Sequence, residues 1–138
     1  MTRLAMLRRR LGYDPAAGNV IPFGKERPEM TITKIASVAR VPTASASRYL
    51  QQVCKHWQHN LAVEFTPEHG TIVFPRDARG ADHPGDALVT FDADGDALTA
   101  RIEATSPAQL EGLKGAVARH VDRFAFREAP LPFEWQDE

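Results

Sequence analysis

Between Pro42 and Asn60 the apolar residues recur at helical spacing, and this segment constrains the fold more than any other. Wound at 100° per residue, Ala46, Tyr49, Leu50, Val53, Cys54 and Trp57 fall within an arc of about 140°. A helix with so wide an apolar face must bury it, so the segment demands a second layer to pack against. Pro42 ends whatever precedes the helix, because a proline biases the residue before it to extended backbone. Thr43 or Ser45 supplies the N-cap. The helix is expected to reach His59, with Asn60 as the left-handed residue that closes it.

The second layer reads as a sheet. Thr31–Val41 is rich in Thr, Ile, Val and Ala and predicts a first strand. Leu61–Phe65 and Thr71–Pro75 flank Thr66–Gly70, whose Pro67 and Gly70 mark a hairpin turn. Arg76–Asp86, with two glycines, a proline and many charges, predicts an exposed loop. Ala87–Phe91 and Ala97–Ala104 form a second hairpin about Asp94-Gly95. In its return strand Leu98, Ala100, Ile102 and Ala104 alternate with Thr99, Arg101 and Glu103, the period of a strand wet on one side.

The last helix has a marked start. Ser106 is the N-cap, Pro107 the first helical residue, and Gln109 completes a capping box. Leu110, Leu113, Val117, Val121 and Phe124 then form an apolar stripe, until Pro130 and Pro132 forbid continuation and send Phe133 or Trp135 back onto the domain. The order β-α-β-β-β-β-α predicts an α+β fold, a two-layer sandwich of an antiparallel sheet with two helices on one face.

Residues 30–138 are expected to make one such domain. Residues 1–29, basic and broken by Gly12, Pro15, Gly18 and Pro22, read as a disordered extension or as a mis-assigned start with Met30 as the true first residue. The expected domain carries fifteen acids against eleven Lys and Arg. Such a surface is poorly suited to phosphate backbones, so no nucleic-acid partner is expected. No apolar run is long enough to span a bilayer, and none follows the arginines of the first eleven residues, so neither membrane nor export is expected. Cys54 is the lone cysteine. It cannot form an internal disulfide, which suits a reducing cytoplasm.

Four polar residues of the first helix share one stripe. Arg48, Gln52, Lys55 and His59 stand at i, i+4, i+7 and i+11, opposite the apolar face. Two cations, an amide and an imidazole aimed together suit a carboxylate or phosphate, so an anionic ligand is their expected partner, set against an ordinary solvated helix face. Cys54 and His56 lie about 160° apart round a helix and cannot share one ion. His56 and His59, joined by His120, are the alternative: a metal- or haem-using enzyme centred on histidines. Cys54 itself reads as a core residue, and Arg127 and Glu128, after the last helix, read as a pair. Asp92, Asp94 and Asp96 imitate a calcium loop, but its sixth position, which needs glycine, is Ala97 and the glycine is Gly95, and Asp-Gly between apolar runs is a hairpin signal. No phosphate loop, nucleophile elbow or zinc-protease motif is present, so no catalytic residue, metal or cofactor is expected. A homodimer working through the exposed sheet face is the remaining option.

Three stretches carry a family resemblance. Ala39-Arg40-Val41-Pro42-Thr43 with Ser47–Gln52, Cys54–Trp57 and His59, then Gly70–Pro75, then His120–Glu128, resemble the motifs of a bacterial family catalogued as domain of unknown function 2218, in that family's order. The likeness spans about residues 36–136. It implies a link to siderophore-iron uptake and a siderophore-interacting flavoprotein as a partner. Arg48, Lys55 and His59 all lie in the family motif, which favours a recognition surface over a merely solvated face.

Overall fold

A computed structural model describes residues 33–138, and the expectation for residues 1–29 lies outside them. The elements are β1 (Ile35–Pro42), α1 (Ala46–Trp57), β2 (Ala62–Phe65), β3 (His69–Phe74), β4 (Ala87–Ala93), β5 (Ala97–Ala104), α2 (Pro107–Phe124) and β6 (Gln136–Asp137). The strands form one antiparallel sheet in the order β2-β3-β4-β5-β1-β6. Both helices pack on the sheet and on each other, α1 over β2, β3, β4 and β5, and α2 over β5 and β1. This is the expected two-layer α+β sandwich with a sixth strand added.

Register explains which residues make the core. Strand neighbours point the same way, so Val63, Ile72, Val89, Ile102 and Ser37 form one row across the sheet, and Phe65, Gly70, Phe91, Ala100 and Ala39 the next. Ile72, Val89, Ile102, Phe91, Ala100 and Ala39 are buried beneath the helices. They meet Ala46, Tyr49, Leu50, Val53, Cys54 and Trp57 of α1, the six residues that helical spacing places on one face. Each large side chain buried there contributes roughly 1.5–3 kcal/mol. The opposite face is polar and laced with ion pairs, among them Lys34–Glu103, Arg40–Asp94 and His69–Asp92.

Gly70 sits where the core is tightest. A Cβ built there would stand 2.8 Å from Cys54 Sγ and 3.2 Å from Phe65 Cβ, so only a hydrogen lets α1 come this close to β3. Burial pushes the Cys54 thiol up to about 11, which keeps it protonated and unreactive.

Several local expectations change. α1 ends at Trp57 rather than His59, and Gln58 caps it through a bond to Cys54 O. The Trp57 carbonyl accepts from both Asn60 N and Leu61 N, which tightens the last turn, and Asn60 is not left-handed. At the N-terminus Ser45 is the cap residue but its side chain makes no capping bond. Thr43 Oγ1 accepts the Ser45 N–H instead. In α2 Ser106 Oγ accepts the Gln109 N–H as expected, while Gln109 Oε1 reaches one residue further back, to Thr105 N and Oγ1. Its Nε2 donates to Gly85 O, so this buried amide ties the β3–β4 loop to the helix start. In the β4–β5 turn Asp94 Oδ1 accepts from Asp96 N and Ala97 N, and those two amides hold its carboxyl below the ordinary range. Asp94 and Asp96 thus belong to a turn, as the glycine position implies, and Asp92 to β4.

The C-terminal segment does more than fold back. Phe133 and Trp135 stack on one another and pack against the core, after which Gln136 and Asp137 pair with Val38 and Ser37 as β6. Lys114–Asp137 and Arg101–Glu138 pin it from α2 and from β5.

Candidate functional site

The stripe expected on α1 is present only in part. Arg48 and Lys55 are exposed at i and i+7, and neither makes an ion pair among the described residues. Gln52 between them is half-buried, its Oε1 shielded and without a hydrogen-bond partner among the described residues. His59 is exposed in the turn beyond the helix end, so it does not continue the helical row. None of the four lines the cleft beside α2.

A cleft of about 240 Å³ lies elsewhere, between α2, the end of β3 and the β3–β4 loop. The sequence of α2 creates it. Ala108, Gly112 and Ala116 recur at four-residue spacing and line one wall, and a Cβ added at Gly112 would meet nothing within 4 Å. Trp57, Phe74 and Leu113 give it apolar surface, with Trp57 and Phe74 edge to face at 5.1 Å. The polar lining comprises Gln109 and four basic residues, Arg79, His83, Arg119 and His120, and includes no carboxylate.

Each basic residue is placed by identifiable local structure. Arg79 has φ 56° and is the one non-glycine residue with positive φ among those described, followed by Gly80 at φ 80°. A side chain in that backbone region is held at a cost of order 1–2 kcal/mol, supplied here by a short 3-10 turn at Ala78–Gly80 and by the bond from His83 N to Arg76 O. Arg119 folds back over Gly115, where a Cβ would stand 2.8 Å from its Nη1. His83 Nδ1 lies 3.1 Å from the hydroxyl of Ser106, which already accepts the Gln109 N–H. When that hydroxyl donates to Nδ1, the His83 proton sits on Nε2. Neither Arg79 nor Arg119 makes an ion pair among the described residues.

Of the three histidines expected to act together, two meet. The His56 and His120 rings are 5.4 Å apart at the seam between α1 and α2, and His120 is 4.8 Å from Trp57. His120 Nδ1 is 2.6 Å from the carbonyl of Ala116. A carbonyl can only accept, so Nδ1 carries a proton and Nε2 of the neutral ring carries the lone pair. Burial first, then the neighbouring His120, Arg123 and His59, hold His56 below the ordinary imidazole range. Among the described residues no group of three or more His, Cys, Asp or Glu side chains is placed to hold a metal ion.

A further cluster joins the start of α1 to the segment after α2. Glu128 accepts from Thr43 Oγ1, at 3.1 and 3.0 Å to its two oxygens, and from the Tyr49 hydroxyl. That hydrogen bond, with burial, raises the Tyr49 phenol above its ordinary value. Arg127, the expected partner of Glu128, instead lies over the exposed Phe126 ring at 5.7 Å.

Sequence reasoning missed the cleft because its residues come from a segment read only as an exposed loop, from the apolar faces of both helices and from α2 positions given no role. The usable signal was the small-residue spacing Ala108, Gly112, Ala116 opposite the aromatic pair.

Among the described residues no helix is long and apolar enough to cross a membrane. A search of curated proteins finds no match. Among solved structures, the chain is similar to the NMR structure of PA4090 from Pseudomonas aeruginosa, with 31% sequence identity and a TM-score of 0.58, over 74% of this chain and 95% of that one. The family model described as "Uncharacterized protein conserved in bacteria (DUF2218)" matches residues 38–136, which take in both helices, β2 to β5 whole and parts of β1 and β6, and the chain therefore belongs to that bacterial family.

Proposed function

We propose that the protein is a small-ligand binding module that takes an anion with a flat apolar body into the cleft beside α2. One observation supports this reading above the rest: the cleft has aromatic and aliphatic surface and four basic side chains, with no acid among its lining residues. Binding sites of this kind combine apolar walls with a few polar groups that fix orientation. Guanidinium groups fork onto carboxylate, sulfonate or phosphate oxygens. A cavity of about 150 Å³ can hold a benzene ring, so this cleft accommodates a single ring bearing an acid group.

Benzenesulfonate is a suitable probe, with benzyl alcohol as its uncharged counterpart. Titrated into isotopically labelled protein, the sulfonate should move amide resonances of Gly112, Arg79 and Ala116 with a Kd on the order of 1 mM or tighter, and the alcohol should bind more weakly. Gly112→Phe fills the cleft from an open helix position and should abolish these shifts while the rest of the spectrum stays native. Shifts that persist in that variant would refute the cleft as the binding site. Shifts confined to Arg48, Gln52, Lys55 and His59 would move the site to α1.

The exposed pair Arg48 and Lys55 supports a second reading, a cationic docking face for an acidic surface on a partner protein. The tie to siderophore-iron uptake and a flavoprotein partner belongs with this reading and is carried by the family resemblance, while the lone Cys54 suits a cytoplasmic setting. Charge reversal of both residues should weaken capture of such a flavoprotein while leaving benzenesulfonate binding intact.

A further inference from the structure

We infer that the cleft takes up a proton together with its anion, and that His120 is the residue that receives it. This rests on the anion-binding reading above and adds to it a form of regulation. His120 belongs to two structures at once, the lining of the cleft and the seam between the helices, where it touches His56. The Ala116 carbonyl fixes its tautomer: Nδ1–H is committed to the helix backbone, so the neutral ring offers an unprotonated Nε2 and no free donor. An arriving anion meets a lone pair. Once protonated, the same ring offers an Nε2–H donor and a positive charge, and the anion then favours the charged form.

The surroundings sharpen this linkage. The groups facing the pair are His59 from the turn after α1, Arg119 and Arg123 from α2, and Arg79 and His83 from the β3–β4 loop, all of them basic. Burial, then His120, Arg123 and His59, already hold His56 below its ordinary value, and the contact between the two rings disfavours protonating both. An anion supplies the missing opposite charge. The proton balance is one proton taken from solvent per anion bound, with no covalent bond made or broken.

Benzenesulfonate again serves as the probe, since a sulfonate stays ionised throughout the range examined. Its Kd is measured by nuclear magnetic resonance at pH 5.5, 6.5, 7.5 and 8.5 in the parent protein and in His120→Gln and His56→Gln. In the parent, affinity should fall as pH rises through the imidazole range, by up to tenfold per pH unit at the steepest part, the limit for one linked proton. His120→Gln keeps a polar side chain of similar reach and should bind with affinity that is nearly flat in pH. His56→Gln removes the competing imidazole and should retain the pH dependence while shifting its midpoint upward. Binding in the parent that is equally tight at all four pH values would overturn the proton linkage and leave the cleft in place. A pH dependence that survives unchanged in His120→Gln would also overturn it. No binding at any pH would overturn the cleft reading and the linkage together.

Discussion

Replacing Gly70 by alanine tests whether α1 rests on β3 as closely as the geometry requires. The new methyl would lie 2.8 Å from Cys54 Sγ, about 0.7 Å inside the closest ordinary contact of roughly 3.5 Å. Phe65 Cβ at 3.2 Å and Leu50 Cδ2 at 3.5 Å block escape on two further sides. Leu50 and Cys54 are fully buried and cannot swing out. Overpacking of this kind costs about 1–3 kcal/mol, against which a glycine-to-alanine change recovers about 0.4–1 kcal/mol by restricting the unfolded chain. Gly70 φ lies outside the left-handed region, so backbone strain adds nothing. The net loss should be about 1.5 kcal/mol, lowering the urea midpoint by about 1 M at a slope near 1.5 kcal/mol per M. Tryptophan fluorescence during urea unfolding reads it directly. The partner substitution Cys54→Ala alone leaves a small cavity and costs about 1–2 kcal/mol. Combined with Gly70→Ala, the new methyl occupies the space the sulfur vacates. The double variant should therefore be more stable than the sum of the two single losses predicts, by at least about 1 kcal/mol. Strictly additive losses, or a Gly70→Ala variant within 0.5 kcal/mol of the parent on the same slope, would refute the close approach.

Other substitutions probe other junctions. Gln109→Leu strands Thr105 N behind α2, while Gly85 O keeps the Thr105 hydroxyl, and should cost about 1–3 kcal/mol in the same unfolding assay, with hydrogen exchange accelerated at Thr105. Tyr49 should ionise above the ordinary phenol value in an ultraviolet absorbance titration, and Glu128→Gln should bring it down, because the carboxylate is the main cause of the shift. The lowered His56 gives stability a defined pH dependence. Its contribution is complete above the unfolded imidazole value of about 6.5 and is lost as pH falls through the lower folded value, since the unfolded chain binds the proton more readily. Melting temperature should accordingly fall between pH 7 and pH 5, and His56→Gln should reduce that fall.

What could be read from the residues followed the range of the forces involved. The buried face of α1, both hairpins and the Ser106 cap depend on neighbours within a few positions, and periodicity or turn chemistry exposes them. The features that were not legible depend on distant partners. β6 has two residues and no periodic signature, so only its pairing with Val38 and Ser37 defines it. Glu128 looked like the partner of Arg127 next to it, whereas its bonds run to Thr43 and Tyr49, 85 and 79 positions away. The row from Arg48 to His59 was drawn on a helix assumed to be two residues longer than α1 is. Arg79 came to the cleft through a backbone twist that loop composition does not encode.

Gly112 sets two demands against each other. A glycine inside a helix weakens it by about 1 kcal/mol relative to alanine, and here the added methyl would meet no obstacle. Laboratory evolution that rewards heat resistance alone should therefore exchange this residue early, since the gain is immediate and nothing in the packing opposes it. Each such exchange shrinks the hollow. Lineages selected for hardiness without a ligand present should drift toward a sturdier, shallower and less receptive molecule.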